Sequence, residues 1–78
     1  MKYVVYAISS LFKNYIYVGQ TSNLERRLKQ HNEGQERTTR PYKPFKLIHK
    51  EECTDRPSAR LREKFLKSGV GKEFLKNL

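Results

Sequence analysis

The amino-acid sequence predicts an α/β fold of the α+β kind, a small single-domain sandwich with a three-stranded antiparallel sheet flanked by helices. Three runs of β-branched and aromatic residues predict the strands, and segments with helical periodicity lie between and after them. The predicted order is therefore β-β-α-β-α-α. A chain of 78 residues has room for one domain, which we assign to residues 1–78.

The first two strands are predicted over residues 3–8 and 15–19, with a turn over residues 9–14 between them. A connection this short makes the two strands antiparallel neighbours. A polar loop over residues 35–44 then precedes the third strand, which falls within residues 45–53. These segments supply the whole predicted sheet.

The register of the hairpin decides where its tyrosines lie. If residues 10–13 form a four-residue loop, Ser9 faces Asn14 and Tyr6 falls opposite Tyr17. Directly opposed side chains in an antiparallel pair lie about 5 Å apart at Cβ, on the same face. A slip of one residue would send the two phenols to opposite faces. The turn length therefore predicts two phenols side by side.

The first helix is predicted from a capping box, in which Ser22 is followed three residues later by Glu25. The helix is expected over residues 23–33 and to stop at Gly34, because glycine is favoured just beyond a helix C-terminus.

One narrow arc of this helix carries Leu24, Arg27, Leu28 and His31, since successive residues advance by about 100°. Two of these four residues are polar. A small protein has few apolar positions to spare, so a guanidinium and an imidazole on this stripe indicate a function.

Two further helices follow the third strand. Asp55 is expected to cap the second helix, which runs to about Lys67. The last helix is predicted over residues 70–78, with Phe74 and Leu75 as its anchors.

The formal net charge of +9 favours polyanionic partners, chiefly nucleic acid or an anionic membrane. The apolar run at residues 4–8 is too short for a signal peptide or a membrane span, and residues 56–78 lack a wide apolar face, so we expect no membrane partner. The single cysteine, Cys53, excludes an intrachain disulfide and is compatible with a cytoplasmic location.

Each candidate site residue has a structural alternative. Tyr6 and Tyr17 are good strand residues, which sheet packing alone would explain, but Gly19 on the same face leaves space for a ligand to approach. Glu63 sits four residues before Lys67 and can form a local ion pair with it. Glu63 can equally hold one Mg²⁺ or Mn²⁺ ion, if phosphate and water complete the coordination shell. Spacing alone does not separate these alternatives.

Basic residues outside that arc are candidates for phosphate contact or for simple solvation. Residues 56–78 contain seven Lys and Arg but two acids, an excess that favours phosphate contact. The residues that we expect to bind nucleic acid are Arg37, Arg40, Lys43, Arg60 and Lys67. His49 has no acid or nucleophile near it in the predicted arrangement, and it is treated as structural together with Cys53.

Several of these segments together resemble the GIY-YIG nuclease family, most closely its small stand-alone members that are similar to the excinuclease C subunit. The segments that carry the resemblance are Val4-Val5-Tyr6, Tyr17 to Leu28, His31-Asn32, Pro44 to Ile48, Arg62 to Lys67 and Gly71 to Lys76. They cover nearly the whole chain. One departure is that Val4-Val5 replaces the Gly-Ile of the first triplet, where only the tyrosine is needed chemically.

The resemblance implies a role for each site residue. Tyr6 and Tyr17 would be the two signature tyrosines, of which Tyr17 is the usual candidate for acting on the nucleophile. Arg27 would hold the scissile phosphate, and His31 would accept a proton or orient a neighbour. Glu63 would be the single metal ligand.

The resulting expectation is a divalent-metal-dependent endonuclease with one Mg²⁺ or Mn²⁺ per site, acting on DNA by structure rather than by sequence, as in DNA repair. The alternative is a nucleic-acid-binding module of the same fold that does not cut. A structural protein with a decayed site is a third possibility, disfavoured because no expected side chain is missing. The sequence carries no separate targeting domain, so a targeting protein partner is also considered, and the oligomeric state is left open.

Overall fold

The sheet has the strand order β2-β1-β3, with both pairings antiparallel. In this computed structural model, which describes residues 2–78, the strands are β1 (Tyr3–Ser10), β2 (Ile16–Thr21) and β3 (Phe45–Cys53). The helices are α1 (Leu24–Asn32), α2 (Arg56–Lys67) and α3 (Gly69–Lys76), and a short 3₁₀ turn lies at Arg40–Tyr42. The predicted α+β class and the order β-β-α-β-α-α are confirmed.

The predicted register of the hairpin is wrong by two residues. Tyr6 pairs with Gly19, and Tyr17 pairs with Ile8. The reason is Ser10, whose N–H donates to the carbonyl of Tyr15 at 3.0 Å and thereby closes the hairpin one residue later than expected. The Ser10 hydroxyl also accepts two backbone N–H groups of the loop, at 3.1 and 3.3 Å. Because side chains alternate with a period of two, the shift leaves both phenols on one face.

The sheet buries a different apolar cluster on each face. On the first face, Tyr6, Ile8 and Phe45 are buried beneath the leucines of α1. On the second face, α2 and α3 cover a cluster made of Val5, Ala7, Val18, Ala59, Leu66 and Leu75. The central strand β1 contributes to both clusters, as alternation along a strand that is covered on both sides requires.

Helix α1 is capped by Asn23 rather than by Ser22. The Asn23 side chain accepts the N–H of Arg26 at 3.1 Å, so the predicted capping box with Ser22 is wrong. An Asn cap satisfies the free N–H groups of the first turn as well as a serine does. Gly34 follows the helix with φ of 78°, a left-handed conformation that glycine adopts without strain, as predicted.

The last two helices meet in a tight corner. Asp55 caps α2 as predicted, accepting the N–H of Ser58 at 2.8 Å, and Ser68 caps α3. Leu75 of α3 is buried against the sheet, but Phe74 is 44% exposed, so only one of the two predicted anchors enters the core. The Phe74 ring packs edge-on against His49 instead. Within residues 2–78, no helix is long and apolar enough to cross a membrane.

The corner between α2 and α3 depends on Gly71. A Cβ at this position would collide with the carbonyl oxygen of Phe65 and with the backbone of Leu66. We expect Gly71→Ala to lower the free energy of unfolding by about 1–3 kcal/mol, because backbone atoms cannot rotate away as a side chain can. Thermal unfolding should show this as a Tm drop of about 4–8 °C per kcal/mol.

Gly69→Ala is the matched control, since a Cβ at Gly69 would meet nothing within 4 Å. It should leave the Tm unchanged or raise it slightly, as alanine is the better helix former. Equal Tm values for the two variants would contradict the packing described at Gly71.

Candidate active site

A line of three buried polar side chains joins the sheet to α1 and to the loop that follows it. The Tyr6 hydroxyl lies 2.9 Å from Nε2 of His31, and Nδ1 of His31 lies 2.9 Å from Oγ1 of Thr39. All three residues are 0% exposed. Because a buried polar group without a partner costs about 1–3 kcal/mol, Tyr6 and Thr39 each depend on His31, and His31 depends on both of them.

Gly19 makes room for this line. Tyr6 lies directly opposite Gly19 in the hairpin, and a Cβ on Gly19 would lie 2.8 Å from the Tyr6 hydroxyl and 3.0 Å from the Tyr17 ring. The space that the sequence analysis assigned to a ligand is thus occupied by the Tyr6 ring. A glycine inside a strand often marks a position where another group comes close to the backbone, and at Gly19 that group is the protein's own Tyr6 side chain.

Tyr17 lies beside this line on the same face of the sheet. The centroid of its ring is 6.3 Å from that of Tyr6 and 5.0 Å from that of His31. Tyr17 is half-buried, in contrast to the fully buried Tyr6 and His31. Of the three groups, the Tyr17 phenol is therefore the one that a substrate can reach.

Arg27 is held by its neighbours through one nitrogen. Its Nη1 donates to the Glu36 carboxylate at 2.6 Å and to the Gln30 side-chain oxygen at 3.1 Å. The guanidinium also interacts with the Tyr6 hydroxyl, and its charge opposes the rise in the pKa of Tyr6 that burial causes. A depression of about 230 Å³ lies against this helix, lined by Thr21, Ser22, Asn23, Arg26, Arg27 and Gln30.

Burial sets the protonation of the line. It raises the pKa of Tyr6 to about 12, with the neighbouring Tyr17 adding to the rise and Arg27 opposing it. Burial also lowers the pKa of His31, and the Arg27 charge lowers it further. At neutral pH, Tyr6 is thus a phenol and His31 a neutral imidazole. A neutral imidazole donates through one nitrogen and accepts through the other, so the line has one consistent direction of hydrogen bonding.

Glu63 lies at the β2 edge, on the other face of the sheet. One of its oxygens accepts the side-chain amide of Gln20 at 3.0 Å, and the other accepts Lys67 at 2.7 Å. The local ion pair with Lys67 that the sequence allowed is therefore formed. The alternative role of Glu63, as a metal ligand, stays a prediction. The contact with Gln20, the residue after Gly19, brings Glu63 to the strand that carries Tyr17 but not into contact with the phenols.

Glu63 supplies a single carboxylate, which suits one hard divalent ion that takes its other ligands from substrate and water. Within residues 2–78, no group of three or more His, Cys, Asp or Glu side chains converges on a metal position. The Glu63 side chain keeps 19% of its surface exposed and borders a depression lined by Gln20, Arg60, Glu63, Lys64 and Lys67. Mg²⁺ accepts a site with one carboxylate when phosphate and water supply the other oxygens.

The basic residues expected to bind nucleic acid fall into two groups. The segment between α1 and β3 carries Arg37, Arg40 and Lys43. Within this segment, Arg40 also donates to the carbonyl of Gly34 at 2.7 Å. Arg60 and Lys67 lie on α2 and border the depression at Glu63. Their roles, like those of the five catalytic candidates, stay predictions.

His49 has an acid partner that the sequence analysis did not expect. Its Nε2 lies 2.7 Å from the Glu51 carboxylate, which also accepts two hydrogen bonds from Arg62. Residues two apart on a strand share a face, so this pairing follows from the strand period. Arg62 is the main cause of the low pKa of Glu51, about 2. The group links β3 to α2 and is structural in character.

Three residues of the site were missed from the sequence. Thr39 and Glu36 lie in a loop without periodicity, and nothing in the sequence marks a threonine there as buried. Glu36 is the one acid among the basic residues of this loop, a signal that could have suggested an ion pair. Gln20 reaches Glu63 from another element, a contact that sequence spacing does not show.

Comparisons with known proteins identify the family to which this chain is similar. A family model described as the GIY-YIG catalytic domain matches residues 2–77. UPF0213 protein DP2720 from Desulfotalea psychrophila is 39% identical over 54 residues, which make up 67% of this chain and 49% of that protein. The chain therefore spans about half the length of this curated relative. The solution NMR structure of UPF0213 protein BH0048 from Bacillus halodurans is similar with a TM-score of 0.59 and 29% identity, covering 99% of this chain and 84% of that one.

The lowered pKa of His31 has a consequence for stability. Between the folded-state pKa and the unfolded value of 6.5, the unfolded chain binds a proton that the folded protein does not, so stability falls as the pH falls through this window. We expect the free energy of unfolding to decrease as the pH falls from about 7.5 towards the lowered pKa of His31, with a slope of at most about 1.4 kcal/mol per pH unit. Urea denaturation at several pH values measures the free energy of unfolding and its slope against pH.

The His31→Gln variant should lose this slope, while His49→Gln, the matched control, should keep it. A parent protein whose stability does not change over the window would contradict the buried neutral imidazole. A slope that survives in His31→Gln would contradict its assignment to His31.

Proposed function

The chain belongs to the GIY-YIG catalytic domain family, a nuclease family, and we propose that it is an endonuclease that cuts phosphodiester bonds in DNA with a divalent cation. One observation supports this most directly. Arg27, which is held by Glu36 and interacts with Tyr6, and the accessible phenol of Tyr17 both lie beside the buried line of Tyr6, His31 and Thr39.

Substrate binding is assigned to Arg27. A guanidinium that is anchored through Nη1 keeps its plane fixed, so Nε and Nη2 can donate together to two oxygens of one phosphate. These donors offset the negative charge that grows on the non-bridging oxygens during attack. Glu36 and Gln30 hold the arginine in place before the substrate arrives.

The attacking water is assigned to Tyr17. Tyr6 is fully buried with a pKa of about 12, and both nitrogens of His31 are hydrogen-bonded, so neither is suited to take a proton from water in the free protein. The Tyr17 hydroxyl oxygen can accept a hydrogen bond from the water and orient it in line with the leaving oxygen. As the new P–O bond forms, the proton of the water would pass to solvent, and the P–O bond to the leaving oxygen would break, with that oxygen taking a proton from solvent. Tyr6 and His31 then act as positioning residues that fix the Tyr17 ring and the Arg27 helix.

Glu63 would hold the divalent cation, Mg²⁺ or Mn²⁺, with Gln20 as its hydrogen-bonding neighbour. A bound cation supplies positive charge for the leaving oxygen and lowers the pKa of a coordinated water. The Glu63 carboxylate is held at the edge of β2 by Gln20, and Lys67 would have to release one of its oxygens. The half-exposed Lys67 can move away at small cost, because surface ion pairs contribute little.

The second candidate function is a binding module that holds nucleic acid without cutting it. The ion pair between Glu63 and Lys67 favours it, since that carboxylate is already occupied. The same basic residues would serve either function. Binding that weakens with salt, without cleavage of flap, branched or single-stranded substrates, would select the module.

Cleavage of a labelled flap or branched DNA in the presence of Mg²⁺ is the first test. We expect Glu63→Gln and Tyr17→Phe to lower the single-turnover rate by about 10²-fold or more, because each removes a group that acts on the reacting atoms. A chelator should abolish cleavage, and added Mg²⁺ or Mn²⁺ should restore it.

Glu73→Gln and Tyr3→Phe are the matched controls. Glu73 is an exposed carboxylate on α3, and Tyr3 packs on the other face of the sheet. Both should cut at the parental rate. If Glu63→Gln and Tyr17→Phe also cut at that rate, the assigned site is wrong.

A further inference from the structure

The end of the sheet nearest the β1–β2 hairpin loop carries a lysine-rich surface that the proposed site does not use. Two adjoining depressions share Asn14, Ile16 and Lys76; the first, about 200 Å³, also includes Lys72, and the second includes Lys46. Among residues 2–78, no acidic side chain lines either of them. We call this the hairpin-end surface; its charged residues are Lys46, Lys72 and Lys76.

These three lysines form no ion pair within residues 2–78. The ion pairs of the described chain belong to other cations, namely Lys2, Arg27, His49, Arg62 and Lys67. Lys72 and Lys76 are four residues apart on α3 and therefore repel each other on one helix face. A row of phosphates would offset this repulsion, whereas a neutral ligand would not.

The hairpin loop adds an exposed aromatic ring next to this surface. Phe12 is 80% exposed in the loop between β1 and β2, and Asn14 of the same loop lines both depressions. Exposed aromatic rings beside basic grooves are typical of proteins that stack unpaired bases. Duplex DNA offers no free base face, so the pairing of lysines with Phe12 favours an unpaired strand.

The hairpin-end surface and the proposed site lie at opposite ends of the same edge strand. Ile16 lines both depressions, while Thr21, at the other end of β2, lines the depression at Arg27. The five steps from Ile16 to Thr21 span about 17 Å. This length corresponds to about five nucleotides at a rise of 3.4 Å per nucleotide, and to fewer in a more extended strand.

We propose that the hairpin-end surface binds an unpaired nucleic-acid strand, with its phosphates on Lys46, Lys72 and Lys76 and a base stacked on Phe12, while the strand follows β2 to Arg27. The inference rests on the proposed nuclease function and deepens it. It identifies the substrate class as one with a single-stranded segment on one side of the cut, long enough to span about 17 Å, which takes about five nucleotides at a rise of 3.4 Å and fewer when the strand is extended.

Binding is tested first, without divalent cation so that nothing is cut. Anisotropy of a labelled single strand of about 20 nucleotides is compared for the parent and for Lys72→Gln/Lys76→Gln. The double variant should bind on the order of tenfold more weakly and lose about 1.4 from the slope of log K against log salt, because two phosphate contacts disappear. The matched control, Lys29→Gln/Lys50→Gln, removes the same charge from exposed positions elsewhere and should lose much less.

Phe12→Ala tests the base contact against Leu11→Ala, a truncation in the same loop at a residue that is 52% exposed. Phe12→Ala should weaken single-strand binding about fivefold or more but leave duplex binding unchanged. Equal effects of the two truncations would overturn the assignment of an unpaired base to Phe12.

Cleavage then separates this inference from the nuclease function itself. Substrates with a short single-stranded arm, about two nucleotides, should be cut equally by the parent and by Lys72→Gln/Lys76→Gln. Substrates with an arm of about ten nucleotides should be cut more slowly by the variant when the substrate is below saturation.

If the parent cuts both substrates and the variant matches it on both, the surface is not a strand site and the nuclease assignment stands. If the parent cuts neither, the nuclease function fails, and the binding comparison still decides about the surface. Loss of binding to phosphatidylserine vesicles in the variant, with strand binding unchanged, would assign the surface to a membrane and overturn the proposal.

Discussion

The contact between the Tyr6 hydroxyl and Nε2 of His31, at 2.9 Å, is the constraint on which the rest of the site depends. Both groups are fully buried and out of reach of water. If they separated, the hydroxyl and the ring nitrogen would lose this hydrogen bond, and water could not replace it. The contact ties the central strand to α1, and its continuation to Thr39 ties α1 to the following loop. Since that loop also supplies Glu36 to Arg27, one buried line fixes the position of the guanidinium.

This constraint explains residues that would otherwise look unrelated. Gly19 is small because Tyr6 lies across it, and Tyr17 is left at the surface because Tyr6 and His31 fill the interior. The other face of the sheet is an apolar cluster with a polar group at each side: His49, Glu51 and Arg62 meet at β3, and Gln20 meets Glu63 at the β2 edge. The protein therefore separates a fixed phenol–imidazole–guanidinium face from a carboxylate on the opposite face. Under the proposed function, a phosphate bound at the edge strand would lie between them.

The sequence predicted the order of the elements and the face on which the phenols meet, because both depend on local periods of two and 3.6 residues. It misplaced the hairpin register by two, since the hydroxyl of Ser10 closes the turn through contacts that strand propensity does not contain. The arc that carries Arg27 and His31 was identified from the sequence. The partners Thr39 and Gln20 were not, because they come from irregular or distant segments. The roles of the site residues stay predictions, whereas the family is established by a match over residues 2–77.

The pH–rate profile of Tyr6→Phe under single-turnover conditions tests most directly whether the buried line holds Tyr6 as a fixed, protonated phenol in an active nuclease site. With a pKa of about 12, Tyr6 does not ionise near neutral pH. We therefore expect Tyr6→Phe to cut more slowly than the parent but to keep the same dependence on pH. A profile in Tyr6→Phe that loses the parental pH dependence would make Tyr6 the group that exchanges the proton, and would contradict this description of the site.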